Sequence, residues 1–365
     1  MSLEKIIIIG GSYAAILALK TILSSKTKKF DITIISPNEY TFFNVSVPRL
    51  LIDNSLIEKT LFPIKEVVEY LAKGTGNKVT HIRSSVEKVE FDTKSVIVAN
   101  GEKLNYDYLI IASGSRSTSP LWKLDSTKSN DYNLDSIKEF TEKIKTAKTI
   151  AIIGGGATGV ETAGELGTEY YGEKDITLYT GSSGPLSETL PNHVDSATQK
   201  LNKLGVKIIN NERVKPEGNT IILQNGTSES FDLVIEAFKL IPNTEFLSKN
   251  YLDDQGYIKT NNYFQIPQIK DVFIIGDVLS IGLHSIVDLS YNQKPIFEKI
   301  IEKEIFNNNS IVLKEYQRPT TPTYLVPIGK NGGVGAFYGW NFPNFLVWYL
   351  KSKDFMIPKA KKFLT

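Results

Sequence analysis

Two glycine-rich turns in this 365-residue chain have the residue types and spacing to bind an anion. In the first, Gly10-Gly11-Ser12-Tyr13-Ala14-Ala15 follows Ile6-Ile7-Ile8-Ile9; in the second, Gly154-Gly155-Gly156-Ala157-Thr158-Gly159 follows Ile150-Ala151-Ile152-Ile153. A dinucleotide pyrophosphate binds where backbone N–H groups and the positive end of a helix dipole converge. The first glycine permits the tight turn. The second position must be small so that backbone approaches phosphate, and the third so that helix and strand pack. Gly154, Gly156 and Gly159 meet all three demands, as do Gly10, Ser12 and Ala15 with a Cβ at the second position. A glycine turn after an apolar strand is by itself a common structural device; a strand before it and a helix after it are the context a nucleotide site requires. Two such turns imply two dinucleotides held face to face, and so a redox enzyme.

Asp277 follows the apolar run Val272-Phe273-Ile274-Ile275 and Gly276. A carboxylate at the carboxyl end of a strand can accept hydrogen bonds from sugar hydroxyls; the plainer reading is an Asp that caps the next segment. The acid expected to bind an adenosine ribose at the end of the second strand is missing from both units, which read Ser36-Pro37-Asn38-Glu39 and Thr180-Gly181-Ser182-Ser183. Glu39 lies beyond the usual point and reads as a solvated loop residue. No carboxylate repels a 2′-phosphate and no arginine attracts one, so NADH and NADPH both stay open.

Composition narrows the chemistry. With no cysteine, there is no disulfide framework, thiolate metal site, iron–sulfur cluster or redox dithiol. The three histidines, His81, His193 and His284, are too scattered for a metal site, so no metal is expected. Redox chemistry here needs an organic cofactor. The 42 basic and 40 acidic side chains nearly cancel, which argues against a nucleic-acid partner. Met1-Ser2-Leu3-Glu4-Lys5 leads straight into a strand, so no signal peptide is expected. No apolar run approaches the roughly 18–20 residues of a spanning helix. The expectation is a cytoplasmic protein, soluble or peripheral on a membrane.

The elements that must position these residues follow from periodicity. A strand over 3–9, a helix over 14–24 and a strand over 30–35 open a β-α-β unit. A strand over 109–114 comes later. The pattern restarts with a strand at 148–153, a helix at 160–170 and a strand at 175–179. Residues 113–136, rich in Ser, Thr, Pro and Asn, read as a linker. A helix over 290–305 follows the Asp277 turn, and Asn307-Asn308-Asn309-Ser310 marks a break. The remainder is aromatic and basic: from Lys351 onward five lysines face one acid, a local charge of +4. Aromatic anchors with lysines suit an anionic membrane surface. The alternative is that Phe345-Leu346-Val347-Trp348-Tyr349-Leu350 packs on the first domain with its lysines solvated.

Taken in order, these motifs resemble the two-dinucleotide-fold flavoproteins of the glutathione-reductase superfamily. GGSYAA matches the FAD pyrophosphate turn, Ile110 to Gly114 the "ATG" motif with Ser113 for Thr, GGGATGVETAGEL the pyridine-nucleotide turn, and Ile274 to Asp277 the second FAD motif. Within the superfamily the chain resembles the apoptosis-inducing-factor-like and ferroptosis-suppressor-type branch, related to the type II NADH dehydrogenases. Ile35 to Tyr40, Val47 to Leu50, Val326 to Gly335 and Lys351 to Asp354 carry that likeness.

The resemblance implies an α/β fold with two Rossmann-like domains and a small C-terminal region. Its boundaries would be 1–120 and 246–306 for the FAD-binding domain, 121–245 for the NAD(P)H-binding domain and 307–365 for a C-terminal interface region. It implies bound FAD, NADH or NADPH as donor and a quinone or similar diffusible acceptor. FAD contacts would come from Gly10 to Ala15, Ser36, Arg49, Val86, Ala112, Ser113, Gly114, Gly276 and Asp277. Nicotinamide-nucleotide contacts would come from Gly154, Gly156, Thr158, Gly159, Thr180 and Pro242. Arg49 would neutralise an FAD phosphate, as planar guanidinium groups do; the alternative is an exposed loop cation. Glu161 matches a glutamate of the branch and would be catalytic at the nicotinamide–flavin junction; the alternative is a first-turn acid favoured by the helix dipole. Lys239 departs from the branch, which often has glycine before the Pro-Asn pair. Two other readings stay open: a redox-sensing interaction protein, and a biosynthetic flavoenzyme acting on a small natural product. Monomer and homodimer are both compatible with these residues.

Overall fold

The computed structural model describes residues 3–129 and 131–365. Two parallel sheets carry the nucleotide turns. The first has five strands in the order Val272–Ile274, Tyr108–Ile111, Glu4–Ile9, Phe30–Ser36, Lys78–Arg83. Ile7 lies between Thr33 and Leu109, and Phe273 beside Ile110. Ile6, Ile7, Ile8 and Ile9 are all buried, as an unbroken apolar run in a parallel sheet covered on both faces must be. The second sheet has four strands in the order Lys207–Ile209, Asp175–Tyr179, Thr149–Ile153, Leu233–Glu236. The chain thus completes the first sheet after it has built the second.

The two crossings between the sheets are zipped together. Ser115–Ser117 pairs antiparallel with Leu240–Pro242, setting Ser115 opposite Pro242. The expected linker is therefore more ordered than its composition implied: it holds this strand and leads into the helix Tyr132–Thr146. Asn133 is the reason the turn between them is fixed, since its buried amide bonds Pro120 O, Lys123 O and Asp125 N.

Helices Tyr13–Leu23 and Ala157–Glu169 follow the glycine turns. The second begins three residues before the expected start at 160, because Gly156, in extended conformation, is already its N-cap. The expected helix over 290–305 is a compound one. Ile286–Asp288 runs into a π-turn, Leu289–Gln293, before Lys294–Glu304 resumes α geometry. Pro295 has no N–H to give the preceding turn, and the ladder widens there.

The C-terminal region forms a three-stranded antiparallel sheet, Tyr324–Pro327, Gly333–Phe337 and Trp340–Asn341, then a short helix Asn344–Val347 and a π-turn Trp348–Ser352. It packs directly on the helix Ala157–Glu169. A Cβ on Gly164 would stand 2.6 Å from the backbone nitrogen of Gly329, so the two backbones touch only because Gly164 has no side chain. Of the run Phe345 to Leu350, Val347 is buried while Phe345, Trp348 and Tyr349 are exposed. No helix among the described residues is long and apolar enough to cross a membrane.

Candidate active site

The two turns are built alike. Gly10 has φ +129° and its N–H donates to Ile35 O at 2.8 Å; Gly154 has φ +125° and its N–H donates to Tyr179 O at 2.9 Å. At either position a Cβ would run into a carbonyl, of Ala112 or of Ala237. Ser12 and Gly156 stand at the two helix starts without a side-chain cap, so the first-turn N–H groups face outward as an anion cradle. Ser12 is exposed, which is why its Cβ does not fill the turn. The third position differs in tightness: Ala15 is accommodated in the core, while a Cβ on Gly159 would overlap Gly154 O.

One cavity of about 790 Å³ joins the sheets. Gly10 to Ala14, Ser36, Val86, Ala112 to Gly114, Gly276 and Asp277 line it from the first sheet. Ala157, Thr158, Glu161 and the segment Ala237 to Leu240 line it from the second. Thr323 to Val326 and Lys351 close it from the C-terminal region. The wall fits an FAD: bare backbone where a pyrophosphate approaches, and Gly276, with φ +88°, where a Cβ would stand 2.6 Å from that of Ala14.

Several expected contacts lie off this wall. Ala15, Gly154, Gly156 and Gly159 shape the turns. Thr180 is buried, donating to Ser182 O at 2.8 Å and Asn210 Oδ1 at 3.1 Å. Pro242 belongs to the crossing ribbon. Its neighbour Asn243 does reach the wall and interlocks with the "ATG"-like turn: Ser113 Oγ donates to Asn243 O at 2.7 Å, and Asn243 Nδ2 donates back to Ser113 O at 2.9 Å. Arg49 is also off the wall, bound to Glu165. Glu39, read as solvated, pairs with Arg83 at 3.0 Å.

Charge at the site comes in pairs, half-buried at Asp277 and more deeply buried at Glu161 and Glu165. Asp277 is held by the Lys123 ammonium and by Ser115 Oγ at 3.1 Å. Burial opposes its ionisation, but Lys123 and Ser115 outweigh burial and hold the carboxyl below its ordinary range. Glu161 accepts from Lys351 Nζ at 2.5 Å, and the same ammonium donates to Leu325 O at 3.3 Å. Burial pushes the Glu161 carboxyl above its ordinary range, with Lys351 opposing and Glu165 adding to the rise. Glu165 is likewise raised by burial against the pull of Arg49. Glu161, Glu165 and Glu169 form one stripe at four-residue spacing, each with its own cation: Lys351, Arg49 and Lys330.

Sequence reasoning missed Lys351, Lys123, Asn243 and Glu165 as members of this constellation. The four-residue spacing of the acids was a signal in plain view. Lys239 has φ +61°, a conformation that suits glycine, so the lysine holds a strained backbone there.

A model of the family described as pyridine nucleotide-disulphide oxidoreductase matches residues 4–298. The oxidoreductase ptaL of Pestalotiopsis fici is 30% identical over 380 residues, covering 98% of each chain. Ferroptosis suppressor protein 1 of Taeniopygia guttata is 23% identical, covering 98% of this chain and 94% of its own. Among solved structures, the sulfide:quinone oxidoreductase of Aquifex aeolicus superposes with a TM-score of 0.75 at 17% identity, over 99% of this chain and 92% of the other. The disulphide of the family description has no counterpart here, since the chain has no cysteine. With its twin turns, its shared cavity and this match over most of its length, the chain belongs to the pyridine nucleotide-disulphide oxidoreductase family, as an FAD-binding oxidoreductase that uses NADH or NADPH.

Proposed function

We propose that the chain is an NAD(P)H:quinone oxidoreductase. The observation that carries this reading is the single cavity in which both nucleotide turns meet a buried acid–ammonium pair, Glu161 and Lys351, in a chain without cysteine. When bound, FAD would take hydride from the nicotinamide and give two electrons to the acceptor. The chain's own residues supply the rest. The helix starts at Tyr13 and Ala157 present N–H groups to the two pyrophosphates. Asp277, kept ionised, accepts from a sugar hydroxyl. Gly11 keeps the backbone against Ser36, whose Oγ would stand 2.6 Å from a Cβ there, and both residues line the cavity that would hold the FAD. Glu161, its carboxyl raised by burial, stands at the cavity wall bonded to Lys351 Nζ, a donor and acceptor set suited to an acceptor that gains protons with its electrons.

A dithiol acceptor needs cysteines this chain lacks, which leaves a diffusible acceptor. The quinone in the description of the Aquifex aeolicus neighbour supports that class. Peripheral contact with a lipid surface, where apolar quinones collect, is part of the same proposal. Trp340 is 81% exposed and Phe345 64%, and the chain that follows is rich in lysine.

The test is an absorption spectrum of purified protein, anaerobic titration with NADH and with NADPH, and steady-state turnover with a water-soluble quinone. Bleaching by one donor and rapid quinone reduction are expected. A flavin that bleaches while quinone turnover stays negligible would overturn the quinone assignment in favour of a redox-sensing role.

A further inference from the structure

Arg49 has surroundings that its place in the sequence does not foretell. It stands on the one-turn helix Val47–Leu50, which packs on the helix Ala157–Glu169, with its side chain 12% exposed. Its Nε and Nη2 grip the two carboxylate oxygens of Glu165, the latter at 3.2 Å. Nη2 also donates to Ser352 O at 3.0 Å, and Nη1 to Lys353 O at 3.4 Å. A guanidinium has five N–H donors in a rigid fork. Here one carboxylate and two carbonyls occupy that fork. Turning it toward a phosphate would strip Glu165, itself 1% exposed, of its hydrogen-bonded counter-ion, which is costly for a buried anion.

The groups that Arg49 gathers come from separate parts of the chain. Glu165 lies one helical turn beyond Glu161 on the helix Ala157–Glu169. Ser352 and Lys353 follow directly after Lys351, the partner of Glu161. Phe355 lies between both cations, 5.0 Å from the Arg49 guanidinium carbon and 5.8 Å from Lys351 Nζ. Phe355 is fully buried at φ +49°, and Met356 follows at φ +60°. Two successive left-handed residues with side chains persist only where packing holds them.

We propose that Arg49 is a positioning residue: by binding Glu165 and the carbonyls of Ser352 and Lys353 together, it fixes the C-terminal segment so that Lys351 stands on Glu161 at the cavity wall. It acts on the wall through Lys351 and takes no phosphate. The functional part of this role rests on the quinone-reductase reading; the structural part does not.

The experiment uses full-length holoenzyme with Arg49→Met, Arg49→Lys and Glu165→Gln. Three quantities are read: flavin per chain from absorbance, the rate of tryptic cleavage after Lys351 and Lys353, and the pH profile of NADH-driven quinone reduction. Flavin content is expected to match wild type in all three variants. Cleavage is expected to rise ~10-fold in Arg49→Met and Glu165→Gln, because the segment opens locally more often. Arg49→Lys is expected to fall between, since lysine offers a point charge without the fork. The pH profile is expected to move in the direction that Lys351→Met moves it. Loss of flavin from Arg49→Met with flavin retained in Glu165→Gln would make Arg49 a phosphate ligand and overturn the proposal. Unchanged cleavage in Glu165→Gln would overturn it as well, and that near-isosteric variant decides the matter if Arg49→Met does not fold. Should wild type reduce no quinone, the functional reading fails while flavin content and cleavage still decide the role of Arg49.

Discussion

Lys351 reaches back 190 positions along the chain to donate to Glu161 at 2.5 Å. Their side chains are 12% and 6% exposed, so each is the other's main relief from burial. Lys351→Met is expected to destabilise the protein by about 3 kcal/mol, the usual order for breaking a buried pair from one side. The loss depends on pH in a definite direction. A carboxyl raised in the folded state binds its proton more tightly there than in the unfolded chain. Its contribution is therefore full below the ordinary glutamate range and is lost as pH rises through the folded value. Removing Lys351 takes away a group that lowers that value, so the decline should steepen. Thermal melts from pH 4 to 8 on Lys351→Met, with the double variant Lys351→Met/Glu161→Gln as a flat reference, check this; equal slopes in the two would refute it.

Gly10 and Gly114 both line the cavity with positive φ but differ in what surrounds them. A Cβ on Gly10 collides with the Ala112 carbonyl, whereas a Cβ on Gly114 meets open space. Gly10→Ala is expected to cost about 3 kcal/mol and to empty the protein of flavin, through strain plus collision. Gly114→Ala carries backbone strain alone, about 1 kcal/mol. Denaturant unfolding and flavin content of the two variants, side by side, give the comparison.

Lys239, exposed at the edge of the cavity, has a left-handed backbone with φ +61°. Lys239→Gly should relieve about 1 kcal/mol of that strain. The melting temperature is expected to rise by a few degrees at most, in proportion to that relief. A lower melting temperature would mean that the lysine side chain contributes more than its backbone costs.

Trp340 and Phe345 are exposed in the C-terminal region, whose sequence ends in a lysine-rich stretch. Co-sedimentation with vesicles containing anionic phospholipid is expected for wild type and should weaken as salt is raised. Trp340→Ser/Phe345→Ser should reduce binding ~10-fold or more, as removal of two aromatic anchors does at such a surface. Equal binding of the double variant would leave lysine attraction alone as the cause.

Much of the fold was legible because its signals are local. An unbroken Ile6 to Ile9 run, a glycine turn and a helix announce themselves within fifteen residues, and they do so twice. The turn glycines were readable for the same reason: the demand on Gly10 is set by a strand that the sequence itself displays. Arg49 was not readable. Its partners lie 116 and 303 positions away, and residue type alone suited a phosphate as well as it suited Glu165. Lys123 was hidden likewise, in a stretch whose composition spoke for a linker while Asn133 was fixing its course. Exposure of Trp348 against burial of Val347 turned on how a short π-turn rotates the chain, which no periodicity reveals.

Ser115–Ser117 and Leu240–Pro242 carry the chain out to the second sheet and back again as one ribbon. Two separate strings would let the halves slide, twist and drift apart. A single laced strap permits little besides bending across its own width. Arg116 braces it through Asn243 at 2.8 Å and Glu245 at 2.6 Å. Opening of the cleft as a nucleotide enters or leaves would have to bend this ribbon, so the two sheets are expected to part by bending there rather than by sliding past one another.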